Sequence, residues 1–197
     1  HRDHYDPENL RRHISKRATV ILPDFPTDEL EQALRDCGFT WFVRTTSREV
    51  VEVDGLRVMV ESLISPTDGP IGDSSLWLSD GTHTVLNQND ARPASLEHFT
   101  DLGPIDGYLV QLSGAIWFPM VYEITDEVKR SQGKVKRARQ FDRTLRYIEQ
   151  ADARVVFPTA GPPCFLDPDL FAFNDVFGDE GNIFPDQTVY IDWLESQ

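Results

Sequence analysis

Two Asp-Gly pairs, Asp54-Gly55 and Asp80-Gly81, each stand between two runs of β-forming residues, and they constrain this chain more than any other feature. Both central residues of a two-residue hairpin turn take positive φ, a state that glycine enters freely and aspartate tolerates. The pattern predicts one hairpin joining strands over 49–53 and 56–63, and a second joining 74–78 and 82–86. The middle of the chain is therefore β-rich.

On either side of these hairpins, strand and helix signals alternate. Asp6-Pro7-Glu8 reads as a helix start, with Asp6 as N-cap and Pro7 in the first turn, running to about residue 13. Residues 18–22 form a short β-branched run, and Pro26-Thr27-Asp28 opens a helix with Leu30, Ala33 and Leu34 on its apolar side, closed by Gly38. A strand over 40–45 follows. Beyond Pro93 come a short helix at 95–100, a strand at 107–112 ending in Ser113-Gly114, and a long polar helix capped by Thr125 and reaching about residue 150. A strand at 153–157, a helical turn at 168–174 and two short segments, 189–191 and 192–195, complete the chain. The class is α/β, and with no internal repeat, low-complexity tract or linker the reading is one domain over 1–197.

The 197 residues suffice for one domain with a sizeable core, and 40% hydrophobic content with 12 Phe and 4 Trp indicates a packed globule. No apolar run approaches the roughly 20 residues that a membrane span needs. A net charge of −14 disfavours nucleic acid as a partner, because phosphate binding needs a positive field. Cys37 and Cys164 lie far apart, which suits free thiols in a reducing cytoplasm, and no basic-then-apolar signal opens the chain.

The sharpest local feature is His1-Arg2-Asp3-His4. Imidazole and carboxylate groups on one tight loop suit zinc or iron, and a loop can aim at one point side chains that a strand would split between faces. Four such residues at a terminus also read as a structural or tag-like segment. Elsewhere, His13, beside Arg11 and Arg12, reads as a solvated helix face, His83 as exposed beside a turn, and His98 as part of a short polar helix. Cys164, between Pro163 and Phe165, reads either as a soft ligand or as a buried inert thiol, and Trp117, Phe118 and Tyr122 either as a substrate wall or as core. Lys129, Arg130, Lys134, Lys136, Arg137, Arg139, Arg143 and Arg146 gather basic charge on one helix of an acidic chain. They read as a solvated face or as a dock for a phosphate-bearing substrate or an acidic partner domain.

Several segments resemble the metallo-β-lactamase fold. That fold carries His-x-His-x-Asp-His between a strand and a helix, and His1, Asp3 and His4 match its last four positions. Val85 to Asp90 resembles the strand leading to the fold's metal-bridging Asp, with Asp90 in that place, Leu109 to Gly114 the next strand and its loop, and Ala153 to Pro158 the last strand. The wording of Leu86 to Pro93, Ser113 to Met120 and Ala160 to Phe165 is similar to a bacterial group related to CMP-N-acetylneuraminate hydroxylases, in which such a domain shares a chain with a Rieske domain.

The resemblance implies an αββα four-layer sandwich, incomplete at its N-terminal side, with the earlier strands and any Rieske domain outside these residues. It also implies a metal set of His1, Asp3, His4 and Asp90, with Asp3 and Asp90 as the catalytic carboxylates. The sequence departs from hydrolytic members at Gly69-Pro70-Ile71-Gly72-Asp73-Ser74, which holds no His, leaving Asp73 as a substitute ligand, and at Thr159-Ala160-Gly161, where a last His is missing. The set implied serves one iron or zinc ion rather than a two-metal clamp. No paired Cys-x-His and Cys-x-x-His motifs occur, so a Rieske [2Fe-2S] cluster is expected elsewhere.

Three functions follow as expectations. The first is hydroxylation of a polar, nucleotide-linked or similar substrate, with electrons from a Rieske partner. The second is metal-dependent hydrolysis of a phosphate ester or lactone. The third is a metal-free ligand-binding or scaffold domain. A homo-oligomer is left open. The motif match further places Asp90 at the C-terminal end of a strand within reach of the 1–4 loop, and places the 159–165 loop on the same cleft.

Overall fold

The computed structural model describes residues 4–64, 72–113, 116–160 and 164–197. His1, Asp3, and residues 69–71 of the departing segment lie outside the described residues. The architecture is mixed α/β, as the sequence predicts, and its contacts divide into two compact units, His1–Ala94 and Ser95–Gln197.

The first unit opens with α1 (Pro7–His13), where Asp6 Oδ1 accepts from the amides of Glu8 and Asn9 at 3.0 and 2.9 Å. These amides are among the orphan donors of the first turn, which is why an Asp-Pro pair starts a helix here. Strand β1 (Val20–Leu22), helix α2 (Glu29–Asp36) and strand β2 (Phe42–Arg44) form a βαβ unit whose strands pair in parallel, Val20 opposite Phe42. Leu22, Leu34, Cys37 and Phe39 make its buried core, with Tyr5, Leu10, Val20 and Phe42 against it. Gly38, at φ +97, ends α2 in a backbone state that other residues resist.

Four antiparallel strands complete this unit: β3 (Val50–Val53), β4 (Leu56–Leu63), β5 (Asp73–Ser79) and β6 (Thr84–Asn87). Met59 lies opposite Trp77, and Trp77 opposite Leu86, so three side chains between 0% and 2% exposed line one face. Val58 and Val60 point to the other face and are also buried, which explains an unbroken buried run through β4 instead of alternation.

The two hairpins differ. Asp54 and Gly55 both take positive φ, 51° and 81°, as a two-residue turn requires. At the second, Gly81 (φ 86°) has positive φ while Asp80 does not, and the loop spans four residues, closed by the Asp80 amide donating to His83 O at 3.2 Å. Asp80 acts there through its side chain: Oδ1 accepts from Thr82 N at 2.8 Å and His83 N at 2.7 Å. Strand β6 accordingly starts two residues later than the alternation predicts.

The second unit holds α3 (Glu97–Thr100), β7 (Gly107–Gln111), α4 (Asp126–Ala151), β8 (Val155–Thr159), a 3₁₀ turn (Phe171–Asn174) and α5 (Gln187–Glu195). Strands β7 and β8 pair in parallel with α4 between them in sequence, a second βαβ arrangement. Pro158 sits within β8, opposite Val110, and the strand runs two residues beyond the predicted end at 157. The segments 189–191 and 192–195 are one helix, α5, capped by Asp186 Oδ1 accepting from Thr188 N at 2.8 Å. Leu112, Phe141 and Tyr190, between 0% and 3% exposed, form a buried cluster here. Each such side chain contributes roughly 1.5–3 kcal/mol through removal from water. No helix among the described residues is long and apolar enough to cross a membrane.

Candidate metal centre

His4 lies two residues before Asp6, the N-cap of α1, and Asp90 follows the end of β6 by a tight turn. In that turn Gln88, 2% exposed, donates from Nε2 to Ala91 O at 2.8 Å while Ala91 N donates to Gln88 O at 3.1 Å. Asn89 takes φ 53°, and its amide donates to Asn87 Oδ1 at 3.0 Å. These contacts fix where the Asp90 carboxylate points. The result is a direct contact, His4 Nε2 to Asp90 Oδ2 at 3.1 Å, with both side chains partly open to solvent.

The donor set and spacing fit a transition metal. Ligand bonds to zinc of about 2.0–2.2 Å, at angles between octahedral and tetrahedral, put two donor atoms of one ion roughly 3.0–3.5 Å apart. The observed 3.1 Å lies in that window and is equally the length of a direct His–Asp ion pair. Among the described residues no group of three or more His, Cys, Asp or Glu is arranged to hold an ion, and the partners that the motif adds, His1 and Asp3, are not described.

Asp73 opens β5 and lines, with His4, Tyr5 and Asn89, a cavity of about 390 Å³ within the first unit. The remainder of the wall is largely apolar, from Val20, Leu22, Phe25, Leu34, Val60 and Leu76. Arg44 and Glu31 add an ion pair to it, 2.6 Å apart. The Glu31 carboxyl is held below the usual range, first by its hydrogen bond from Arg35.

Tyr5 is the residue of this region that sequence reasoning passed over. Its hydroxyl donates to Ala33 O at 3.0 Å and contacts Cys37 Sγ at 3.2 Å. The bond with Cys37, then burial, pushes the phenol up to about 12. Adjacency to His4 was the available signal; the partner, a buried Cys at the end of α2, becomes visible only in the fold.

The other candidates fall into place as follows. His13 and His83 are exposed, as expected, and His98 is half-buried against Phe99. Cys164 is exposed rather than buried, correcting the inert-thiol reading. Trp117 is built into an aromatic cluster, with ring centroids 5.3, 5.6 and 5.0 Å from Phe165, Phe173 and Phe184, which favours the core reading. On α4, Lys136 donates to the carbonyls of Ile116 and Phe118, Lys134 pairs with Glu180 at 2.9 Å, and Arg130 with Asp179 at 3.4 Å. Much of the basic helix therefore serves its own unit. Residues 161–163 of the last-strand loop lie outside the described residues.

No model of a known family matches the chain. Over 98% of its length it is 50% identical to a protein of Mycolicibacterium smegmatis provisionally named a Rieske 2Fe-2S iron–sulfur protein. It is 47% identical over its whole length to a Mycobacterium tuberculosis protein with the same kind of name. The chain spans 38% and 39% of the length of these relatives. Among solved structures, CmlA from Streptomyces venezuelae, a diiron β-hydroxylase, matches with a TM-score of 0.52 at 18% identity, covering 77% of this chain and 31% of that one. The chain thus shares its α/β fold with part of CmlA and is similar in sequence to a part of proteins named for a Rieske centre.

Proposed function

We propose that this chain is the metal-binding portion of a Rieske-linked hydroxylase, acting in the cytoplasm on a substrate whose reacting end is polar. The observation that carries the reading is the direct His4–Asp90 contact at 3.1 Å, which brings together two residues with metal-binding side chains that are far apart in sequence. Support comes from the Rieske name of the relatives and from the fold shared with a diiron β-hydroxylase. His4 would hold the metal through Nε2 and Asp90 through its carboxylate, with His1 and Asp3 completing the set and Asp73 facing the adjoining cavity. Bound iron would supply dioxygen activation: one oxygen atom enters a C–H bond, the other leaves as water, and two electrons and two protons are consumed. The electrons would come from a Rieske [2Fe-2S] domain acting as partner. The apolar wall beside His4 and Asp73 would seat a non-reacting part of the substrate and exclude water from it.

Element analysis of the full-length protein tests this reading. Iron beyond that of a [2Fe-2S] cluster, lost in both His4→Ala and Asp90→Ala, is the expected result. Metal content equal to the cluster alone in the parent protein, after anaerobic purification and iron supplementation, would sink it.

A further inference from the structure

We infer that Tyr5 is a positioning residue for His4, and that the buried thiol of Cys37 is the second half of the same latch. The inference rests on the reading of His4 as a metal ligand. Tyr5 follows His4 directly, so anchoring the Tyr5 side chain restrains a Cα that is one step, about 3.8 Å, from that of His4.

The anchor is the C-terminal turn of α2. The Ala33 carbonyl accepts the Tyr5 hydroxyl at 3.0 Å as well as the Cys37 amide at 3.2 Å. The same hydroxyl meets Cys37 Sγ at 3.2 Å, a contact in which either atom can be the donor. The Tyr5 hydroxyl thus has two partners at the end of α2, Ala33 O and Cys37 Sγ. Cys37 Sγ is also 3.8 Å from Pro7 O, at the first turn of α1. Alkylation or oxidation of Cys37 removes its proton and adds bulk at a site only 3% exposed, so it must displace Tyr5 or α1.

The opposite end of the same short segment is held by the Asp6 cap of α1. Tyr5 and Asp6 together anchor the chain on the C-terminal side of His4, from which Nε2 reaches Asp90. Partners of this kind behind a metal ligand typically matter by 10- to 100-fold in metal affinity. Coupling also runs the other way: an ion that joins His4 to Asp90 restrains the latch, and so slows every opening that exposes the Cys37 thiol.

The test uses the full-length protein with Zn²⁺ as probe, Cys37 alkylation followed by peptide-resolved mass spectrometry, and the variants Tyr5→Phe and Leu10→Ala. Leu10 packs against the same core and makes none of the Tyr5 hydrogen bonds, so Leu10→Ala reports generic loosening. Zn²⁺ is expected to slow Cys37 alkylation in the parent about tenfold. Tyr5→Phe is expected to weaken Zn²⁺ binding at least tenfold and to abolish most of that protection, with a melting temperature closer to the parent's than that of Leu10→Ala. Zn²⁺ affinity and Cys37 protection in Tyr5→Phe equal to the parent's would overturn the latch while leaving His4 as a ligand. A weakening in Leu10→Ala as large as in Tyr5→Phe would overturn it as well, because stability alone would then explain the effect. Absence of Zn²⁺ binding at His4 in the parent would overturn the ligand reading and the latch with it.

Discussion

His4 Nε2 and Asp90 Oδ2 stand 3.1 Å apart, although nearly the whole first unit lies between them in sequence. An ion shared by both would bind the folded chain and not the unfolded one. It should therefore raise stability by about 2.7 kcal/mol when free metal exceeds its dissociation constant a hundredfold. A chelator should reverse that gain. In Asp90→Ala the melting temperature should be nearly indifferent to both metal and chelator, and differential scanning fluorimetry on parent and variant reads the contrast directly.

Arg48 gives a second prediction, independent of any metal. It donates to Glu61 Oε1 from Nε at 3.0 Å and from Nη2 at 2.7 Å, while Glu61 is 1% exposed in the middle of β4. Removing a close cationic partner from a buried carboxylate costs up to about 3 kcal/mol. Arg48→Met should lose roughly that in urea unfolding, and Arg48→Met combined with Glu61→Met should recover part of it. A double variant no better than Arg48→Met would show that Glu61 depends on other partners.

What was legible in the sequence divides along a physical line. The Asp6 cap, the Asp54-Gly55 turn and the Thr125 cap were readable because each is settled by contacts within four residues. The pairing of Asp90 with His4 was readable only through a family pattern, since nothing local brings them together. The contacts of Tyr5 were not readable, because its partners, Ala33 and Cys37, come to it from the end of another helix. The basic helix misled for a related reason. Counting charges on α4 cannot reveal that Glu180, Asp179 and the carbonyls of Ile116 and Phe118 take up several of them.

Tyr190 supplies a prediction of opposite sign. Its ring is 0% exposed and packs 4.8 Å from Phe141 and 5.7 Å from Trp193, yet its hydroxyl has no hydrogen-bond partner among the described residues. Burial pushes its pKa up, so the group stays neutral. Tyr190→Phe keeps the ring contacts and removes a polar atom that lost water on folding. It should be neutral or stabilising by about 1 kcal/mol. A loss of more than about 1 kcal/mol in denaturant titration would reveal a partner for the hydroxyl.

The two Asp-Gly turns, alike in sequence, should respond differently to substitution and to acid. Gly55 and Gly81 both sit at positive φ with open space where a Cβ would go, so alanine at either meets only backbone strain, about 1 kcal/mol. The aspartates differ. Asp54 contributes its tolerance of φ 51°, and Asp54→Gly should be close to neutral. Asp80 contributes its carboxylate, whose pKa is lowered by the amide of His83 first and that of Thr82 second. A lowered folded pKa means that the charged form is favoured in the fold. The stabilisation is therefore present above the ordinary aspartate value and is lost as pH falls through the folded one. Asp80→Gly should lower the melting temperature at pH 7 and narrow its gap from the parent as the solution is acidified. Asp54→Gly should show no such convergence, and equal behaviour of the two variants between neutral pH and pH 3 would refute the side-chain role assigned to Asp80.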